Sequence, residues 1–213
     1  MFNTQALKKV SQLAHVKLRS WDDFRKVPIS TREDIKAFAA RGFADDAFNV
    51  TATSGSTSSR LIIAHSRRAQ EVHLRRLVKI YRQVGAKAGE LCLNLCSYEL
   101  NSGGRLMETA YKAAGCGVIP LGPISTKEKV LEAVRLIKVL KPTMINAYTN
   151  QLFDLFSALG RKHTIRRCVV NGEPLWPNYR KRIEQLGGVD VHDHYGAMEV
   201  SGFAIALRPD DEW

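Results

Sequence analysis

Apolar positions along this chain fall into two alternating textures. Short apolar runs at 91–96, 117–121, 143–148, 167–171 and 189–195 are bounded by Gly, Pro, Asn or Ser, as strands are. Between them lie stretches with helical spacing at 69–84, 105–114, 127–140, 150–159 and 176–186. In the first of these Val72, Leu74, Leu77, Ile80 and Tyr81 are the candidate inward residues, and Leu131, Val134 and Ile137 are expected to form a core stripe in the third. A last short strand is expected over 203–207. Such repeated alternation predicts an α/β fold: a mostly parallel sheet with helices on both faces. Right-handed crossovers would line up the loops that follow the strands along one rim, where ligand chemistry is expected. The loops at Ser97, Tyr148, Gly172 and Gly196 belong to that rim.

The N-terminal stretch reads differently. Residues 1–20 carry a weak amphipathic pattern, and Ser30 with Glu33 fits a capping box opening a short helix to about residue 40. Apolar runs at 48–50 and 61–64 then predict a short β-hairpin around Thr51-Ala52-Thr53-Ser54-Gly55-Ser56-Thr57-Ser58-Ser59-Arg60. A loop of small, hydroxyl-bearing residues can turn several backbone N–H groups toward one point, a cup suited to phosphate oxygens. Arg60 adds a fixed positive charge at its exit. No Gly-Lys-Ser/Thr follows, so this is not a P-loop, and by itself the stretch is equally an ordinary polar turn. The expected organisation is a helical segment over 1–47 packed on an α/β nucleotide-binding core over 48–213.

Composition narrows the class without naming an activity. A chain of 213 residues with 45% hydrophobic and 25% charged residues is that of a globular protein with one real core. No apolar run is long enough to span a bilayer, and residues 1–10 lack a signal-peptide core. Cys92, Cys96, Cys116 and Cys168 are scattered within apolar runs, so reduced core thiols and a cytoplasmic location are expected. The net charge of +11 gathers around Arg67, Arg68, Arg75, Arg76, Lys79, Arg82 and Lys87, with Arg161, Lys162, Arg166 and Arg167 as a second group. A third function class, a basic nucleic-acid binder, predicts a steep salt slope. The sequence lacks the aromatic-interleaved, helix-turn-helix or Cys/His signatures of such proteins, and nucleic acid is not the expected partner. His192 and His194 share a strand face but have no third ligand at useful spacing, so no metal pair is expected there.

Two later turns change the picture. Val170-Asn171-Gly172-Glu173-Pro174-Leu175-Trp176 and Asp193-His194-Tyr195-Gly196-Ala197-Met198-Glu199-Val200 each place a turn after a strand. With Thr53-Ser54-Gly55-Ser56-Thr57 they resemble, in order, the motifs of adenylate-forming enzymes, the superfamily of acyl- and aryl-CoA ligases, luciferases and peptide-synthetase adenylation domains. Within it the chain looks most like the branch of phenylacetate–CoA ligases, acyl-protein synthetases and coenzyme F390 synthetase-like proteins. Residues 21–34, Gly117-Val118-Ile119-Pro120, Lys141-Pro142-Thr143 and Gly172-Glu173-Pro174-Leu175 carry that likeness.

The resemblance implies ATP-dependent activation of a carboxylic acid as an acyl-adenylate, then transfer to a thiol: coenzyme A, a carrier protein or an enzyme cysteine. Thr53, Ser54, Gly55, Ser56 and Thr57 would hold the β- and γ-phosphates, with Arg60 beside them. Gly172, Glu173 and Pro174 would border adenine, Asp193 and Gly196 would line the same nucleotide site, and Tyr195 would stack on the base. Glu199 would ligate Mg²⁺, and Thr57 and Glu199 are taken as catalytic. The acid pocket is expected from Tyr98, Asn101 and Tyr148, with Asn150 also available.

Departures from the pattern open alternatives. Ser58 stands where the family usually has glycine, and Met198 where it has a hydroxyl. The chain reaches Trp213 before the family's ribose-binding aspartate, hinge and lysine-bearing lid. Impaired turnover is therefore one expectation. A non-catalytic nucleotide- or acyl-adenylate-binding module is the other, acting alone or with a partner chain that supplies the lid. Self-association through exposed apolar surface is a further expectation.

Overall fold

The computed structural model describes residues 20–25, 27–29, 31–39, 47–53, 60–101 and 103–207. The chain divides into two compact units, Met1–Arg68 and Ala69–Trp213.

The first unit holds helices α1 (Trp21–Arg25) and α2 (Arg32–Ala39) and the antiparallel strands β1 (Ala47–Ala52) and β2 (Ile62–Ser66). The hairpin expected from the two apolar runs is present. The start of α2 differs by one residue from expectation. Thr31, not Ser30, precedes the first turn, and the Asp34 carboxylate accepts from both the backbone N–H and the hydroxyl of Thr31 at 2.8 Å. The Thr31 hydroxyl accepts the Asp34 N–H in return, so Thr31 and Asp34 do what Ser30 and Glu33 were expected to do. Ser30 itself lies outside the described residues.

Helix α3 (Arg67–Gln83) leads into the second unit, which continues β3 (Leu91–Asn94), α4 (Gly103–Ala114), β4 (Gly117–Pro120), α5 (Lys127–Leu140) and β5 (Met144–Ala147). After these come α6 (Thr149–Leu159), β6 (Arg167–Asn171), α7 (Pro177–Gly187), β7 (Asp190–Ala197) and β8 (Ser201–Ala206). The sheet order is β4-β3-β5-β6-β7-β8. Strands β3 to β7 run parallel and β8 closes one edge antiparallel to β7. The α/β fold with a mostly parallel sheet read from the sequence is the fold found.

Alternation along each strand divides the core. Leu93, Leu95, Ile145, Ala147, Cys168 and Val170 pack against Val134 and Ile137 of α5, Leu155 and Phe156 of α6 and Ile183 of α7. Cys92, Met144 and Val169 face the other way, against Leu77 and Tyr81 of α3 and Leu106, Ala110 and Tyr111 of α4. All the cysteines are free and buried. The chain leaves β3 outward to β4, then crosses back to β5 on the other side of β3, so the direction of winding reverses between β3 and β5. At such a switch the loops after the two strands part and leave a crevice at their C-terminal ends. No helix among the described residues is long and apolar enough to cross a membrane.

Candidate functional site

The loop after β3 and the start of α6, which follows β5, flank that switch point. Buried Asn94 ends β3 and donates its amide to the Tyr98 hydroxyl at 2.8 Å. Burial, and then a hydrogen bond to the Glu108 carboxylate, push the Tyr98 phenol well above its ordinary range. Across the switch, burial likewise raises the Tyr148 phenol, which hydrogen-bonds the Ser97 backbone and the Asn101 side chain. Asn101 also accepts the Gly103 N–H at 3.3 Å, which fixes its amide. Of the residues named from sequence for the acid pocket, Tyr98 is thus bonded to Asn94 and Glu108, and Asn101 and Tyr148 are bonded to each other.

The Gly-Glu-Pro turn meets this group from the β6 side. Gly172 has φ +80°, and a Cβ there would lie 3.0 Å from Cε1 of Tyr148. Both the left-handed backbone and the ring above it call for glycine. The Glu173 carboxylate accepts the Thr149 N–H at 2.7 Å, placing a negative charge on the first turn of α6, where the helix dipole favours it. Pro174 is exposed and Leu175 buried. Asp193 lies under this loop rather than open on the rim: its carboxyl is buried, accepts the Leu175 N–H and has Arg180 nearby. Burial dominates and raises its pKa. Asp193 therefore holds the Gly-Glu-Pro turn to β7.

Farther along β7 the rim opens. Tyr195 is 53% exposed, in the register opposite Ala204. Gly196 sits where β7 and β8 approach closely, since a Cβ there would come within 2.9 Å of the Ser201 carbonyl oxygen and the Gly202 Cα. Its glycine is thus required by the strand pair as well as by any ring beside it. Met198 and Glu199 are half-buried in the turn between the two strands. Arg76 of α3 donates to the Val200 carbonyl and pins that turn.

In the first unit, Thr53 closes the base of the hydroxyl-rich loop. Its N–H donates to the Leu61 carbonyl at 3.0 Å and its hydroxyl accepts the Leu61 N–H at 3.1 Å. Arg60 is exposed. Ser54, Gly55, Ser56 and Thr57, like Ser58, lie outside the described residues.

Sequence reading missed the residues behind the rim. Asn94, Asn146, Asn171 and His194 sit on neighbouring strands and are joined side chain to side chain across the sheet. Asn146 donates to Asn94 at 2.8 Å, Asn171 donates to Asn146 at 2.6 Å, and His194 Nδ1 is hydrogen-bonded to Asn171. All are buried. Burial lowers the His194 pKa to about 4, so the ring is neutral at pH 7. No cluster of three metal-ligating side chains occurs among the described residues. Mg²⁺ typically takes one or two carboxylates plus phosphate oxygens and waters. Half-buried Glu199, a lone carboxylate in a rim turn, fits that requirement.

No family model matches the chain. It is similar in sequence to the phenylacetate–coenzyme A ligase of Pseudomonas putida, 23% identical over 197 residues, covering 88% of this chain and 44% of the relative. The phenylacetate–coenzyme A ligase of Thermus thermophilus is 24% identical over 198 residues, with coverages of 88% and 44%. The chain thus spans less than half the length of these curated relatives. Among solved structures, 2-hydroxyisobutyryl-CoA ligase in the postadenylation state superposes with a TM-score of 0.79 at 19% identity, over 94% of this chain and 45% of that one. MatB of Rhodopseudomonas palustris gives 0.56 at 16% identity, over 85% and 36%. The branch named by the sequence relatives is the one that the three turns resemble, and the fold is shared with acyl-CoA ligases.

Proposed function

From its likeness to phenylacetate–CoA ligases, we propose that the chain binds ATP or AMP together with a carboxylic acid and serves the activation of that acid as an acyl-adenylate. The observation that supports this most is the meeting of Asn101, Tyr148, Gly172 and Glu173, with Tyr98 on the same loop as Asn101, at the topological switch point. An acid entering beside Tyr98 and Tyr148 would meet phenols and an amide, which orient a carboxylate by hydrogen bonds. Adenine would lie along Gly172, Glu173 and Pro174 and against the exposed Tyr195 ring. Asp193 acts through the loop it anchors. The hydroxyl-rich loop from Thr53 to Thr57, with Arg60, would take the β- and γ-phosphates.

The chemical obstacle is charge, because an anionic carboxylate must reach a phosphorus ringed by anionic oxygens. Donors fixed in place before the reaction lower that barrier. Glu199 would hold Mg²⁺, which, when bound, supplies a positive charge shared among the phosphate oxygens. In this role Thr57 and Glu199 act as the catalytic residues. The thiol acceptor would be coenzyme A or a carrier protein, approaching a chain of net charge +11.

A second reading is favoured by Met198, half-buried beside Glu199. Its thioether cannot donate to an α-phosphate oxygen, which fits a module that binds nucleotide or acyl-adenylate and depends on a partner for turnover. Calorimetry with AMP, ATP and a panel of aryl acids, with and without Mg²⁺, tests the common core of both readings. Saturable AMP binding weakened by Tyr195→Ala is expected, and its absence overturns both. Carboxylate-dependent ATP–pyrophosphate exchange by the pure chain then separates them: ordinary enzymatic rates favour the enzyme, and none favours the binding module.

A further inference from the structure

The four buried residues behind the rim form a hydrogen-bond chain with only one possible direction. At one end Asn94 Nδ2 donates to the Gly104 carbonyl at 2.9 Å as well as to Tyr98, and a carbonyl can only accept. Asn94 Oδ1 is therefore the acceptor, and it also takes the Cys96 N–H at 3.3 Å. Asn146 must then donate to it with Nδ2, which turns Asn146 Oδ1 toward Asn171. Asn171 in turn must donate, which leaves its Oδ1 for His194. An oxygen there requires the imidazole proton on Nδ1. Nε2 is left as a bare lone pair that is buried without a hydrogen-bond partner, against Gly202, where a Cβ would lie 1.8 Å away. A backbone carbonyl beside Tyr98 thus decides the tautomer of a histidine three strands away.

Every rung of this chain lies one or two residues from a rim residue or bonds it directly. Asn94 holds the Tyr98 hydroxyl, Asn146 is two residues before Tyr148, Asn171 precedes Gly172, and His194 precedes Tyr195. None of the four contributes to the acid or nucleotide surface by itself. A shift of one buried amide strands its neighbour without a partner, so the rungs favour moving together.

We propose that Asn94, Asn146, Asn171 and His194 are positioning residues. They form a one-way amide relay that couples the state of the acid pocket at Tyr98 to the nucleotide loops at Gly172 and Tyr195. The proposal rests on the adenylate-forming reading and adds to it a coupling between the two halves of the acyl-adenylate site. Acid bound at Tyr98 then changes nucleotide affinity, and nucleotide changes acid affinity by the same factor.

The tautomer needs no variant: ¹⁵N resonances of His194 in the unaltered chain are expected to show Nδ1–H with Nε2 unprotonated. The Nε2–H form overturns the relay. The coupling is tested with AMP, which carries no acyl group. Tyr98→Phe removes the hydroxyl at the head of the relay and is expected to weaken AMP binding about fivefold. In an Asn146→Leu background, where the relay is cut, Tyr98→Phe should change AMP affinity no further. Asn171→Leu supplies a second cut if the first variant does not fold. A merely structural role predicts equal effects of Tyr98→Phe with and without the cut, and that result, or no effect on AMP in the intact chain, overturns the proposal. Failure of the unaltered chain to bind AMP overturns the adenylate reading and the relay with it. AMP binding without the coupling overturns the relay alone.

Discussion

Strands β3, β5 and β6 are tied together twice, and the two ties are built from opposite chemistry. Near their N-terminal ends buried Glu90 accepts both Arg166 Nη2, at 2.9 Å to each carboxylate oxygen, and the Thr143 hydroxyl. Thr143 also takes the Leu91 N–H at 3.2 Å. Near their C-terminal ends the tie is the neutral row Asn94–Asn146–Asn171 continued to His194. The charged clamp works where Arg166 remains 56% exposed, so its cation is hydrated while it holds the carboxylate. The neutral row stands behind the rim proposed to receive phosphates and a carboxylate. The amides tie these strands without adding a formal charge of their own. The tie at the N-terminal ends is an ion pair, and the tie at the C-terminal ends is a row of neutral amides.

The largest effect is expected from putting a charge into the neutral row. Asn146→Asp keeps the shape, but an ionised carboxylate cannot donate to Asn94 Oδ1 and is buried without a cation. Loss of roughly 3–5 kcal/mol is expected at pH 7. The introduced carboxyl is stabilised in its protonated form, so its folded pKa lies above the unfolded value of about 3.9. The variant should therefore be most stable below that pH and lose stability as pH rises. Urea midpoints from pH 4 to 8 would show this slope, and a midpoint parallel to that of the unaltered chain would contradict the comparison.

Removing the charge at the other end should be milder. Glu90→Gln keeps an acceptor for Thr143 and loses the anion, and Arg166 can return to water, so roughly 1–2 kcal/mol is expected at pH 7. The Glu90 pKa is lowered chiefly by the Thr143 hydroxyl and secondly by Arg166, against the cost of burial. A depressed carboxyl contributes stability above its unfolded pKa of about 4.3 and loses it as pH falls through the folded value. The two chains should thus differ at neutral pH and converge in acid. His194, neutral and buried, weakens both equally below its unfolded pKa, so the difference isolates Glu90. AMP affinity at pH 7 should be unchanged in this variant.

These two ends were not equally legible in the sequence. The strands and helices were, because each strand is a short apolar run and each helix keeps an apolar stripe. The rim loops followed from right-handed crossovers. The neutral row did not follow: Asn94, Asn146 and Asn171 each look like the polar end of one strand. The register sets Asn94 opposite Asn146 and Asn171 opposite His194, while Asn146 lies opposite Val169, so the row steps two residues along β6 and is closed by the side chains. The clue was the recurrence of an amide near the C-terminal end of successive strands. The burial of Asp193 and its bond to the Leu175 N–H were likewise not legible from its place in a rim motif. The capping box was misread by one residue because Ser30/Glu33 and Thr31/Asp34 overlap, and Asp34 is the residue that reaches back to the Thr31 backbone.

The smallest effects come from a glycine beside each tie. Gly89 precedes Glu90 with φ +84° and open space around a hypothetical Cβ, while Gly172 follows Asn171 with φ +80° under the Tyr148 ring. An alanine at either position must adopt a left-handed backbone, so Gly89→Ala and Gly172→Ala should each lose roughly 1–2 kcal/mol of stability. Their consequences for binding should part. At Gly89 nothing is displaced, and AMP and aryl-acid affinities should stay at those of the unaltered chain. At Gly172 the new methyl must push the Tyr148 ring, which carries the hydrogen bonds to Ser97 and Asn101, so ligand affinity should fall several-fold beyond any change in melting temperature. Equal melting losses with unequal binding would mark the C-terminal end as the one where geometry is held for a ligand. Equal binding in the two variants would reduce the rim tyrosine to packing and remove the distinction between the two ends.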